Sequence, residues 1–176
     1  MPATIDFPTS EEYGSFYDGY VQRARGGEIV ETLTRQMDEI RSTLGALSEA
    51  QAMFRPGPSE WSIKEVLGHI NDSERIFFYR TLCVSRNEQQ PLPGFDQDEY
   101  VQAANFDEFS LAELIEEFIL LRQANLISIR HLTSEMSLRR GTASGHPITT
   151  RALVHILAGH VYHHLESLQT VYLPAL

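Results

Sequence analysis

Apolar residues recur at intervals of three and four along four long segments of the chain, and no stretch between them alternates with the period of two that a half-buried strand requires. In the first segment, from about Gly27 to Ala50, Ile29, Leu33, Met37, Ile40, Leu44 and Leu47 form one stripe before RPGP at 55 to 58 breaks the pattern. The second opens at Ser62-Ile63-Lys64-Glu65 and continues to about Ser85. Ser and Glu three apart at that point make a capping box, in which both side chains satisfy amide donors left free at a helix start. A second capping box, Ser110 to Glu113, opens the third segment, which runs to about Leu132. The fourth follows the loop GTASGHPITT and spans roughly Thr150 to Val171. The fold class expected from this pattern is all-α.

Two further stretches lie outside the four helices. The connection from Arg86 to Phe109 carries PLPG and the aromatics Phe95, Tyr100, Phe106 and Phe109. It is longer than an antiparallel helix pair needs, which predicts a connection that runs the length of the molecule. Residues 1–25, with Tyr13, Phe16, Tyr17 and Tyr20, read as a short N-terminal extension packed on the rest. A length of 176 residues fits a single domain, 1–176, with enough chain to bury a real core.

Charge and cysteine content narrow the functions. Fourteen basic against 24 acidic residues leave a formal net charge of −10, and the arginines do not cluster, so a nucleic-acid partner is not expected. No apolar run approaches the ~18 residues needed to span a bilayer, and MPATIDFPTS has no basic region followed by an apolar one. The expectation is a cytoplasmic protein with no membrane partner. Cys83 is the one cysteine, which excludes an internal disulfide and cysteine-rich zinc sites. Any metal must therefore be held by nitrogen and oxygen.

The stretch Gly159-His160-Val161-Tyr162-His163-His164 then becomes informative. On the fourth helix, Leu153, Ile156, Leu157, Val161, Leu168 and Val171 define the apolar stripe, and His160 and His164 fall near its centre. His155 falls on the opposite side, towards solvent, and His163 lies well off centre. A lone inward histidine is usually a core residue with satisfied ring nitrogens. Two at i and i+4 bring four ring nitrogens into an apolar interior, a cost that one divalent metal resolves. Val161, the residue after His160, rules out the HExxH pattern of metalloproteases. For a third ligand, His131 on the polar side of the third helix and His146 in a loop are weak candidates. His69, at the edge of the second helix's stripe beside Ser73, is favoured over them.

Other polar residues also interrupt apolar stripes. Glu74 falls among Ile63, Ile70, Phe77 and Thr81; Arg122 and Asn125 fall among Ile115, Phe118 and Ile129; Gln36 does the same on the first helix. Buried charges need partners, so Glu74 is expected to pair with Arg122, either as a structural salt bridge or as part of a polar pocket beside a metal.

The residues WSIKEVLGHI from Trp61 to Ile70, then Ser73-Glu74-Arg75, then Gly159-His160 to His164 resemble the DinB-like family, also called YfiT-like metal-dependent hydrolases. The early tyrosines, the PLPGFD connection and the loop from Arg140 to Gly145 extend the resemblance over the whole chain. It implies a four-helix bundle of up-down-down-up topology, with the long connection as the lengthwise crossover. It also implies one divalent metal held by three histidines, which map onto His69, His160 and His164, and assembly as a homodimer. Some relatives are S-transferases and isomerases that use low-molecular-weight thiols.

Three neutral histidines leave the ion its full charge and an open position, the layout of a catalytic site. The leading reading is a metal-dependent transferase acting on a small molecule with a low-molecular-weight thiol as cosubstrate. A metal-dependent hydrolase is the alternative, and a noncatalytic helical dimer tied by its metal is the third. Imidazole ligands accept zinc, nickel, iron or copper. Gln36, Ser73, Glu74, Arg122 and Asn125 are the candidates for a pocket beside the metal.

Overall fold

The structure is a computed structural model, and residues 5–176 of it are described. Four long helices form a bundle: α2 (Ile29–Leu44), α4 (Ile63–Ser85), α6 (Leu111–Ile129) and α8 (Thr150–Ser167). Short helices join them: α1 (Asp18–Arg23) before the bundle, α3 (Glu49–Ala52), α5 (Gln97–Ala104) within the long connection, and α7 (Ser134–Leu138). Both capping boxes form as the sequence predicts, with Ser62 accepting from the Glu65 amide and Ser110 from the Glu113 amide.

Side-chain contacts fix the directions. Asn71 bonds Leu114 and Glu117 while Glu74 bonds Arg122, so α4 and α6 ascend their numbering together and run parallel. Gln36 bonds Ala158 and, further along both, Thr43 bonds Gln169 just past the end of α8, which makes α2 and α8 parallel as well. Arg122 reaches Leu33, while Leu111 at the start of α6 bonds Glu49 beyond the end of α2, so α2 and α6 are antiparallel. The order is therefore up, down, down, up, and the segment holding α5 carries the chain back along the bundle before α6 begins.

Three departures from the sequence expectations have local causes. The first helix stops at Leu44 rather than Ala50, with Gly45 at its C-cap and Ser48 capping the separate turn α3. The expected loop before the last helix is instead a β-hairpin of β1 (Arg140–Ala143) and β2 (His146–Thr149), with Leu92 bridged to Ala143. Its two turn residues, Ser144 and Gly145, have φ of 52° and 79°, the backbone that tight hairpin turns require. The last helix ends its α-helical run at Ser167 and continues as a π-helical turn from Leu168 to Tyr172.

The apolar interior has two parts. One gathers Leu33, Phe77, Leu126, Leu153 and Leu157; the other gathers Ile40, Leu67, Ile70, Phe118 and Val161. On each bundle helix a buried polar residue falls between them: Gln36, Glu74, Arg122 and His160. The N-terminal segment closes the remaining side of α8. Glu12 accepts from Thr149 Oγ1 (2.8 Å) and Arg151 Nε (2.7 Å), and α1 lies directly over Gly159. A Cβ on Gly159 would stand 1.7 Å from the Tyr20 carbonyl oxygen, so only glycine permits this approach of two backbones.

Candidate functional site

Three histidines from two antiparallel helices converge at the level of α1. His69 comes from the second turn of α4, His160 and His164 from successive turns of α8. His160 Nε2 lies 3.0 Å from His69 Nε2 and 3.2 Å from His164 Nε2, and one nitrogen from each ring falls within 4.8 Å of the others. His69 and His160 are buried and His164 is half-buried. Aromatic rings hold them in place: Trp61 stacks beside His69 at 4.9 Å between centroids, while Tyr20 and Phe77 meet His160 edge-on at 5.4 and 5.5 Å. A Cβ at Gly68, next to His69, would collide with the ring of Phe106, so the start of α4 is also seated by a glycine.

Burial governs the charge of this cluster. Desolvation, aided by the His163 imidazole, pushes His69 down to about 4. His160 and His164 are held well below the usual histidine range, first by burial and then by the neighbouring imidazoles. All three are neutral near pH 7. His160 Nε2 faces two other Nε2 atoms, and a neutral ring offers each nitrogen either a proton or a lone pair. One proton between three nitrogens satisfies one contact and leaves the other mismatched. A cation accepting a lone pair from each satisfies all three. Zinc holds imidazole nitrogens at about 2.0–2.1 Å, which in a tetrahedral set places them roughly 3.3 Å apart; the observed 3.0 and 3.2 Å are close to that spacing. The residues therefore fit one divalent metal of the kind that nitrogen ligands favour.

Two clefts meet at the cluster. The larger, about 610 Å³, is lined by His69, His160 and Ser73 together with an aromatic wall of Phe16, Tyr17 and Phe77, and it extends to Ser144 on the hairpin. The smaller, about 310 Å³, reaches His164 past Trp61, Asp98 and His163. A third hollow of about 560 Å³, lined by Arg41, Leu47, Ile115 and Leu120, contains none of the histidines.

The pocket candidates separate into two groups. Ser73 lines the larger cleft, is fully buried, and its Oγ has no hydrogen-bond partner among the described residues. The other four close on one another. Arg122 donates Nε and Nη2 to Glu74 (2.8 and 2.9 Å) and Nη1 to Gln36 Oε1 (2.8 Å), Asn125 Nδ2 donates to Glu74 Oε1 (2.8 Å), and Gln36 Nε2 donates to the Ala158 carbonyl (2.7 Å). This network lies beside the cluster, and the Arg122 charge is one of the influences that disfavour a charged His160.

Of the remaining histidines, His131 is exposed, with Nδ1 bonded to the Ile127 carbonyl, and His146 sits on β2 at the edge of the larger cleft. His163 is half-buried beside Tyr20. His155 departs from the helical-wheel expectation. It is buried, its Nδ1 bonds the Arg151 carbonyl, and Phe7 meets its ring edge-on at 5.2 Å. The face of α8 that points away from the bundle is covered by the N-terminal segment. Sequence reasoning passed over Arg80, which is buried on the same face of α4 as His69, Ser73 and Phe77. The spacing of four, four and three from His69 through Ser73 and Phe77 to Arg80 was the available signal.

Fold and site define a helical bundle with a three-histidine cluster suited to a divalent metal, opening on an aromatic cleft. The chain belongs to the DinB superfamily, whose family model matches residues 32–168. Among solved structures it is similar to YfiT from Bacillus subtilis, described as a probable metal-dependent hydrolase with an unusual four-helix bundle topology. The TM-score is 0.72 at 14% identity, over 81% of this chain and 83% of that one. None of the curated proteins compared has a significantly matching sequence. The matched region contains all three histidines but not Phe16, Tyr17 and Tyr20.

Proposed function

We propose that this protein, as one DinB-like domain over residues 1–176, holds a divalent metal with His69, His160 and His164 and acts on a small molecule as a transferase using a low-molecular-weight thiol. The observation that carries the proposal is a wholly neutral nitrogen set with a cleft on one side of it. A divalent ion in such a set keeps its charge and favours the deprotonated form of a bound thiol or water. The chain's own part is to bind and orient. The aromatic wall excludes water and stacks an apolar substrate body, and the unpartnered Ser73 hydroxyl is free to hold a polar group beside the histidines. In the transfer, a bond forms between the thiol sulfur and an electrophilic carbon, the bond from that carbon to its leaving group breaks, and the thiol proton passes to the leaving group or solvent. Cys83 lies on the outer side of α4, half-buried and away from the histidines, so the sulfur arrives with a cosubstrate.

Hydrolysis is the second reading, favoured by the description of YfiT. Glu74, on the same helix as His69, is committed to Arg122 and Asn125 and is not placed to serve as a base for water. No helix among the described residues is long and apolar enough to cross a membrane. A cytoplasmic setting, expected from the sequence, and the homodimerisation that the family resemblance implies belong to the same proposal; sedimentation at micromolar concentration tests the latter.

Cobalt-substituted protein tests the central claim. Addition of dithiothreitol or cysteine is expected to produce a sulfur-to-cobalt charge-transfer band, and His160→Ala is expected to lose both metal and band. A band absent with every thiol, combined with turnover of ester or amide substrates, favours hydrolysis. Full metal content in His160→Ala and His164→Ala would overturn the assignment altogether.

A further inference from the structure

Arg80 is 2% exposed, yet among the described residues no carboxylate lies within ion-pair distance of its guanidinium. It instead donates Nη2 to the Pro93 carbonyl (2.7 Å) and to Ser144 Oγ (3.1 Å), and Nη1 to Tyr17 Oη (3.3 Å). A buried cation without a counter-charge is costly unless something anionic completes it.

The two hydroxyls it touches show where that anion belongs. Arginine only donates, so Tyr17 and Ser144 must accept from it, and each keeps its own proton to give elsewhere. Neither donates to another described group, and both line the larger cleft. Their protons are thereby aimed at the cleft's occupant, with a positive charge one hydrogen bond behind them. Ser144 supports this from the backbone. It occupies a left-handed conformation, φ 52°, where glycine or asparagine is the low-energy choice. Strain retained at one residue whose side chain faces a cleft points to a use for that side chain. The buried, unpartnered Ser73 Oγ marks a further polar contact in the same cleft.

We propose that the larger cleft takes a substrate carrying a carboxylate, received by the hydroxyls of Tyr17 and Ser144 with Arg80 behind them. The proposal rests on the reading of this cleft as the substrate site and adds the class of molecule that enters it. Phe77 meets both His160 and Tyr17 edge-on, so an apolar body lies between the carboxylate and the reacting end. Along α4 the eleven residues from His69 to Arg80 separate their Cα levels by about 16 Å. The ring centroids of His160 and Tyr17 lie 5.5 and 6.1 Å from that of Phe77, which holds the gap between those two rings to about 12 Å or less, the length of a small aryl or alkyl acid. Two hydroxyls backed by one shielded guanidinium match a carboxylate better than a phosphate, which draws on more donors.

Titration calorimetry on the metal-loaded protein with 3-phenylpropionate, 4-phenylbutyrate and 5-phenylvalerate, each against its primary amide, tests this. At least one acid is expected to bind about 10-fold or more tightly than its amide, the range for a hydrogen bond to a charged group. Tyr17→Phe combined with Ser144→Gly keeps the aromatic ring and relieves the turn; it is expected to cut the preference below about threefold with metal content unchanged. His160→Ala is expected to lose the metal and keep the preference. If instead the preference survives in the Tyr17/Ser144 variant and vanishes in His160→Ala, the acid binds at the histidines and the inference is overturned while the proposed function stands. Equal binding of all acids and amides overturns it as well. A protein that takes up no metal but loses its acid preference with Tyr17 and Ser144 refutes the proposed function and keeps the inference.

Discussion

Removing Glu74 or Arg122 alone should be far more damaging than removing both. The side chains are 1% and 0% exposed, so neither charge can turn to water when its partner disappears. Glu74→Leu leaves the guanidinium with only the Leu33 carbonyl and Gln36 Oε1, and Arg122→Met leaves the carboxylate with only Asn125 Nδ2. Each single change is expected to cost roughly 3–5 kcal/mol, the range for an orphaned buried charge. The double variant fills the same space with apolar atoms. What it still lacks is a donor for Gln36 and an acceptor for Asn125, at about 1–3 kcal/mol for each unsatisfied polar group. Its total should therefore fall well short of the sum of the singles, with a coupling on the order of 3–5 kcal/mol. Urea unfolding followed by far-ultraviolet circular dichroism, with chelator present so that metal binding does not add to native stability, gives the four free energies. A coupling below about 1 kcal/mol, the level of an exposed ion pair, would refute the view that burial makes this pair interdependent.

Three other outcomes are expected. Untagged protein should carry one equivalent of metal by elemental analysis; His160→Ala and His164→Ala should lose it, whereas His155→Ala should retain it and lose about 1–2 kcal/mol of stability from a buried ring, and metal loss in His155→Ala would contradict that division. Burial raises the Glu12 carboxyl but hydrogen bonds from Arg151, Thr9 and Thr149 outweigh it and hold the group at about 2. A depressed carboxyl contributes stability that is complete above its unfolded value and fades as pH falls towards the folded one, so the gap between wild type and Glu12→Gln should be at most about 3 kcal/mol at pH 6 and roughly halved by pH 3; a gap that does not change over this interval would sink the assignment. Gly159→Ala should displace α1, read as fast amide exchange at Tyr20 and Val21 with the bundle amides still protected, and unchanged exchange there would mean that the backbone contact is not needed.

The bundle was legible because its signals are local. Capping boxes at Ser62 and Ser110 and stripes at helical spacing depend on residues within one or two turns of each other, and they marked the starts of all four bundle helices within a residue or two. The hairpin was not legible, since strands of four residues containing Gly141 and Pro147 are too short to show alternation, and only the Ser144-Gly145 turn pair hinted at it. In the site, the i, i+4 pair on α8 marked itself, while His69 stood out weakly because its stripe is defined by partners on other helices. His155 was misplaced for a related reason. A helical wheel assumes one buried face, but α8 is enclosed from Leu153 to Val161, by the bundle on one side and by Phe7 and α1 on the other. The small residues Ala158 and Gly159, off the stripe, were the trace of that second covering.

The N-terminal segment also sets an order of events. Its anchors, Glu12 to Thr149 and Arg151 and the backbone of Tyr20 to Gly159, join positions 137 to 139 residues apart. Contacts at such separation close slowly, because the entropy of bringing distant parts of the chain together must be met before they form. During synthesis these residues leave the ribosome well before α8 and must wait for it. Tyr13, Tyr17 and Tyr20 are therefore without a surface to cover until α8 has emerged, and the aromatic wall of the cleft is assembled only after the other bundle helices are available. A chain stalled before its final helix would hold a partial bundle, one histidine of the three, and a sticky tail of unburied tyrosines.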